Sequence, residues 1–107
     1  MLSKFKSKAA GDVIMLAANG DQLLRILGRQ PVPKGILEVA DMPAALAAIQ
    51  AAIEASEQAR REAEAAALAE GKPPPAREAV TLRQRVWPLA EMIKRSHAAK
   101  ADIVWGV

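Results

Sequence analysis

Residues 80–107 read VTLRQRVWPLAEMIKRSHAAKADIVWGV, and this stretch decides the fold. Thr81, followed three residues later by Gln84, has the form of a capping box, in which each side chain satisfies a backbone N–H at a helix start. Apolar residues then recur at helical spacing, namely Leu82, Val86, Leu89, Ala90 and Ile93. After Ala99 the period changes, because Ile103, Trp105 and Val107 alternate as in a half-buried strand. The stretch predicts a helix over 81–97 and a strand over 102–107.

Pro88 interrupts this helical pattern, since it lacks the N–H that would bond to the carbonyl of Gln84. The proline either kinks one helix or divides the segment into two. Trp87, beside it, is expected in the core.

The N-terminal segment predicts a β-hairpin, with strands at 1–6 and 12–17 and a turn at 7–11 that contains Gly11. The unbroken apolar run Val13–Leu16 is typical of a strand that is covered on both faces.

A short helix is predicted over 20–27, with Asn19 as its N-cap and Gly28 at its C-terminal end. The prolines that follow favour an extended loop. The apolar residues of 36–39 favour a further short strand.

The next helix is expected to be long. Asp41 is its predicted cap, Pro43 suits its first turn, and neither glycine nor proline recurs before Gly71. A helix over 42–70 spans about 44 Å. A compact domain of this size is only about 35 Å across. The outer half of this helix should therefore protrude, and the proline-rich residues 71–79 should serve as its connector.

The protruding half consists largely of alanine, glutamate and arginine. It is interpreted either as a solvated arm or as a helix that contacts a partner or a second copy of the chain. The residues chosen for an interaction role are Arg60, Arg61, Glu64 and Trp105. Trp105 also fits the core, because it shares a strand face with Ile103.

Together these elements predict one α+β domain over 1–107. It has a small, mainly antiparallel sheet of three to four strands, built from the N-terminal hairpin and the C-terminal strand. Helices cover one face of the sheet, and one long Ala/Glu-rich helix overhangs it.

Composition narrows the function classes. The chain has no cysteine, which excludes disulfides, thiolate metal sites and cysteine nucleophiles, and fits a cytoplasmic protein. No apolar run approaches the length that spans a bilayer, so no membrane association is expected. Residues 1–40 and 80–107 each carry a balance of +3, whereas residues 41–79 carry −3. A basic body with an acidic arm results.

The basic residues are candidates for contact with an anion. Lys4 and Lys6 belong to the hairpin, and Arg83, Arg85, Lys94 and Arg95 belong to the last helix. If the two groups face the same side, they form a phosphate-binding patch. Nucleic acid is disfavoured, though not excluded, because stacking aromatic residues and a helix-turn-helix spacing are missing.

Catalysis has little support in the sequence. His97 is the only histidine and thus the one candidate general base of its type, and Asp102 is the one group placed to orient it. No phosphate-binding loop or metal-ligand motif is present, so no enzyme activity, catalytic residue, cofactor or metal is predicted.

Three motifs are distinctive together, namely K-F-K-S-K-x-x-G-D-V-I-M-L (4–16), K-G-I (34–36) and M-P-A-A-L (42–46). With the ending L-R-Q-R-x-W-P-L…V-W-G-V, they make the chain similar to the small bacterial family called domain of unknown function number eighteen-forty. The resemblance covers nearly the whole chain and implies a cytoplasmic bacterial protein without catalytic residues to transfer.

The function expected from the residues is a non-enzymatic protein-interaction or regulatory module with an unknown protein partner, and a homodimer is also expected. The alternative is binding of nucleic acid or an anionic ligand through the basic hairpin and the last helix.

Overall fold

The computed structural model describes residues 2–76 and 80–106. Its strands are β1 (Leu2–Ser7), β2 (Ala10–Leu16), β3 (Gly35–Leu37) and β4 (Ile103–Trp105). Its helices are α1 (Ala17–Ile26), α2 (Met42–Ala69) and α3 (Leu82–Ala98), and a 3₁₀ turn spans Val39–Asp41. The strands form one antiparallel sheet in the order β2-β1-β4-β3. Helices α1 and α3 pack against the strands, and α2 packs mainly on α3. The predicted α+β class is confirmed.

Strand alternation separates an inner sheet face from an outer one. Phe5, Leu37, Ile103 and Trp105 point inward and are 1–5% exposed. The phenyl ring of Phe5 lies 5.9 Å from the indole of Trp105, centre to centre. The indole N–H of Trp105 donates to the carbonyl of Val32 at 3.2 Å. Trp105 is therefore a core residue.

The helices add aliphatic residues to the same core. The buried residues of α1 and α2 are Gly20, Leu23, Leu24, Met42, Ala45, Ile49 and Ile53, and those of α3 are Leu82, Val86, Leu89, Met92, Ile93 and Ser96. The capping box at Thr81 and Gln84 is present. Helix α3 runs without a break through Pro88, so of the two alternatives left open by the sequence, a single helix is the one observed.

Helix α1 begins earlier than predicted. It starts at Ala17, directly after β2, so Asn19 lies inside it and is not its N-cap. Gly20 instead packs against Ser3 of β1, where a Cβ would collide with that side chain. Asp41 precedes α2 but forms no side-chain cap, and its carboxylate pairs with Arg29 at 3.5 Å. Pro43 does occupy the first turn.

Two of the three helices end on glycine. Gly28 follows α1 and Gly71 follows α2, each with positive φ, as in the motif that closes many helices. Lys100 holds this position after α3 with φ 56°. The third helix thus places a lysine where glycine is the favoured residue.

The long helix overhangs the body as predicted. The longest dimension is 52 Å and the radius of gyration is 16.0 Å, against about 13 Å for a compact chain of this length. Residues 72–76 of the predicted connector lie beside the arm, since Pro74 and Pro75 adjoin Leu68 and Ala76 adjoins Ala63. Residues 77–79 of the connector lie outside the described residues. Within the described part of the chain, no helix is both long and apolar enough to cross a bilayer.

Candidate functional site

The outer face of the sheet exposes aliphatic side chains. Leu2, Ile14 and Leu16 are 68%, 56% and 61% exposed, and Leu2 pairs directly with Leu16 across β1 and β2. We call these three residues the aliphatic corner. Large adjoining apolar groups on a protein surface indicate a contact site, whereas single exposed ones do not.

The sequence of β2 explains this exposure. In Val13–Leu16 the inward residues Val13 and Met15 are half-buried against the helices, while Ile14 and Leu16 face outward. Since the helices that contact the sheet pack on its inner face, nothing in the described chain covers these two side chains. The prediction that this strand is covered on both faces is therefore wrong within one copy of the chain.

Two lysines lie on the same outer face. Lys4 pairs in register with Ile14 and forms an ion pair with Asp12 at 3.5 Å. Lys6 pairs with Val104 of β4, and Val104 in turn pairs with Ile36 of β3. The face thus carries aliphatic groups at two places with cations between them.

An open depression of about 750 Å³ lies at the end of the sheet that is remote from the aliphatic corner. Ile36 and Val104 supply its apolar floor, and Lys6, Lys8 and Lys100 border it. None of these three lysines forms an ion pair with another residue of 2–76 or 80–106. The one carboxylate in the lining, that of Asp102, accepts a hydrogen bond from the N–H of Val39 at 3.0 Å. We call this feature the lysine depression.

The basic residues predicted to contact an anion do not form one patch. Lys4 and Lys6 are on the outer sheet face, whereas α3 packs against the inner face, so the sheet separates the two groups. Arg83 pairs with Glu57 of α2 at 2.9 Å, and Lys94 lies 5.7 Å from the centre of the Trp87 ring. The remaining two residues also belong to α3, where Arg85 is half-buried and Arg95 is exposed.

The residues predicted to contact a protein also lie in two separate places. Arg60 and Arg61 are exposed on the protruding half of α2, and Glu64 is half-exposed there. Leu68, two turns beyond Arg61, is 81% exposed. Trp105 is only 5% exposed, which leaves little of its surface for a partner.

Trp87 is the residue that the sequence reasoning placed wrongly. It is 59% exposed and borders a groove of about 110 Å³ between α2 and α3. Its neighbour Val86 is 1% exposed, and successive helical residues point about 100° apart, so both cannot face the core. The apolar stripe through Leu82, Val86 and Leu89 marks the core-facing side of the helix, and Trp87 lies outside this stripe.

The described residues do not bring catalytic or metal-binding side chains together in one cluster. Among residues 2–76 and 80–106, no group of three or more His, Cys, Asp or Glu side chains is arranged to hold a metal ion. His97 is exposed near the end of α3, and no hydrogen bond within this part of the chain joins it to Asp102.

Comparison with known proteins places the chain in a family. Residues 1–105 of its 107 match the sequence model of one family. No curated protein and no solved structure matches it. The chain belongs to the family described as Domain of unknown function (DUF1840).

Proposed function

We propose that this protein is a non-enzymatic interaction module that docks a partner protein on the outer face of its sheet. The observation that carries the proposal is the aliphatic corner, where Leu2, Ile14 and Leu16 each expose more than half of their surface. Covering these side chains contributes about 3–5 kcal/mol before the costs of association.

The charges beside the corner indicate the chemistry of the partner. Lys4, which pairs with Asp12, adjoins Ile14 in the sheet. Lys6, which forms no ion pair within the described residues, lies two residues further along β1. A complementary surface presents an apolar centre with carboxylates at its border, because opposed charges favour the correct register and partner. We therefore infer a partner with an apolar, acid-bordered face.

Site-specific photo-crosslinking in the source cells tests this function. A photoreactive residue at position 14 or 16 should give an adduct with one other protein, whereas the same residue at Arg25, exposed on α1, should give none. The identified protein, once purified, should bind the wild-type chain and lose about tenfold or more in affinity for Ile14→Glu. Since Ile14 is on the surface, that variant should remain folded.

Two results would contradict the proposal. One is equal adduct formation from positions 14 and 25, since it would show that the corner has no preferred contact. The other is an adduct in which both halves are this chain, because it would assign the corner to self-association.

A further inference from the structure

The tip of the long helix and the lysine depression lie at opposite ends of the molecule. Helices α2 and α3 run antiparallel, since Arg83 in the first turn of α3 contacts Glu57 of α2. The later residues of α3 border a groove with residues of α2 that precede Glu57. From Glu57 to Ala69 helix α2 continues about 18 Å away from this contact. From Arg83 to Ala98 helix α3 continues about 23 Å in the opposite direction, towards the depression.

We define the arm tip as residues 62–72. Its chemistry is apolar and acidic. Leu68 is its large apolar side chain and is 81% exposed. Three glutamates and one lysine, namely Glu62, Glu64, Glu70 and Lys72, give the segment a formal charge of −2, and Lys72 pairs with Glu70 at 3.2 Å.

The depression has the complementary chemistry. Ile36 is 41% exposed on its floor beside the half-buried Val104. The three lysines at its border gain Coulomb energy from any carboxylate brought among them. One of them, Lys100, is held at positive φ, where glycine would be less strained. This backbone cost is consistent with a role for the lysine side chain.

We propose that the arm tip of a second copy of this chain docks in the lysine depression. Leu68 contacts Ile36 and Val104, while the glutamates of the tip lie among Lys6, Lys8 and Lys100. The arm tip is acidic and the depression is basic, and both belong to the same chain. A second copy of the chain is therefore the occupant that we infer. The depression shares Lys6 with the border of the surface proposed for the partner protein, but the aliphatic corner itself is at the other end of β1.

The geometry requires a second copy. Tip and depression are separated by about 40 Å along the molecule, so one chain cannot join its own two surfaces. Two chains lying antiparallel place each tip beside the depression of the other. The two identical contacts then close a symmetric dimer with no free site, whereas a single contact would propagate into a chain of molecules.

Sedimentation across micromolar to millimolar concentrations measures this association. The mass should rise from 11.4 kDa towards twice that value. The dissociation constant should increase with salt, because the contact is electrostatic at its border. Leu68→Ser should weaken the dimer about tenfold. Ala55→Ser, exposed on α2 outside the arm tip, should leave it unchanged.

A charge exchange makes the test specific. Lys8→Glu with Lys100→Glu should weaken the dimer about tenfold or more, and so should Glu62→Lys with Glu70→Lys. Combining all four substitutions should restore association, since opposite charges then face each other again. Matched reversals outside the contact, Arg25→Glu on α1 and Glu54→Lys on α2, should have no effect. Circular dichroism confirms that each variant is folded.

Three outcomes would overturn the proposal. They are a monomer at every concentration, a dimer indifferent to both charge reversals, and a failure of the combined variant to recover association. The photo-crosslinking result at position 14 is unaffected by any of them, so this proposal and the proposed function fail separately.

Discussion

The side-chain oxygens of Ser7 and Ser96 lie 2.7 Å apart, and this hydrogen bond joins β1 to α3 beneath the sheet. Ser96 is completely buried and is the one polar residue among the buried positions of the described chain. The Ser7 oxygen also accepts a bond from the N–H of Ala9 at 3.2 Å. One short polar contact therefore connects the last helix, the first strand and the turn that carries Lys8.

A double-mutant cycle on this pair should show coupling. Ser96→Ala and Ser7→Ala should each lower the free energy of unfolding by about 0.5–1.5 kcal/mol, because each removes a partner of the same bond. The double variant should cost less than the sum, since the bond can be lost only once. Urea unfolding measures all four proteins. Strict additivity of the two losses would show that the hydroxyls do not interact.

Gly35 of β3 should not tolerate a side chain. It pairs with Trp105 of β4, and a Cβ at this position would overlap the indole ring. Gly35→Ala should therefore lower the free energy of unfolding by about 1–3 kcal/mol, through displacement of a core ring. Gly11→Ala is the matched control, because no atom lies within 4 Å of the added methyl group. Equal effects of the two substitutions would contradict the packing described.

A glycine at position 100 should relieve the conformational strain of the backbone there. Its φ of 56° is the left-handed conformation that follows a helix, and Gly28 has φ 77° at the same position after α1. Lys100→Gly should be more stable than Lys100→Ala by about 1 kcal/mol, because both remove the charge and only glycine removes the strain. Gly28→Ala should cost a similar amount. Thermal unfolding of these variants checks the comparison. If Lys100→Gly also weakens the dimer, the lysine is retained for its side chain and not for the fold.

Local sequence signals predicted most of the fold. The Thr81–Gln84 capping box gave the start of α3, the uninterrupted run to Gly71 gave the long helix, and Ile103 with Trp105 gave β4. Each of these signals acts within a few residues, so no knowledge of the tertiary structure is needed to use it.

The errors arose where tertiary contacts decide the outcome. Asn19 resembles a helix cap, but β2 leads directly into α1 and Gly20 packs against Ser3. Arg83 and Lys4 have the same charge, yet the sheet separates them. The continuous apolar run in β2 predicted cover on both faces, and the fold supplies cover on only one. The side chains on the uncovered face of β2, Ile14 and Leu16, belong to the aliphatic corner.

The central claim is that the outer face of the sheet is covered by a partner protein. Because the chain has no cysteine, a single cysteine at Ile14 can be labelled selectively with a maleimide. The measurement compares its labelling rate in the dilute purified protein and in a concentrated native extract of the source cells. A cysteine at Ala47, exposed on α2, is the control. We predict that labelling of position 14 relative to position 47 falls about tenfold in the extract, because the partner covers the corner. An unchanged ratio would contradict the claim.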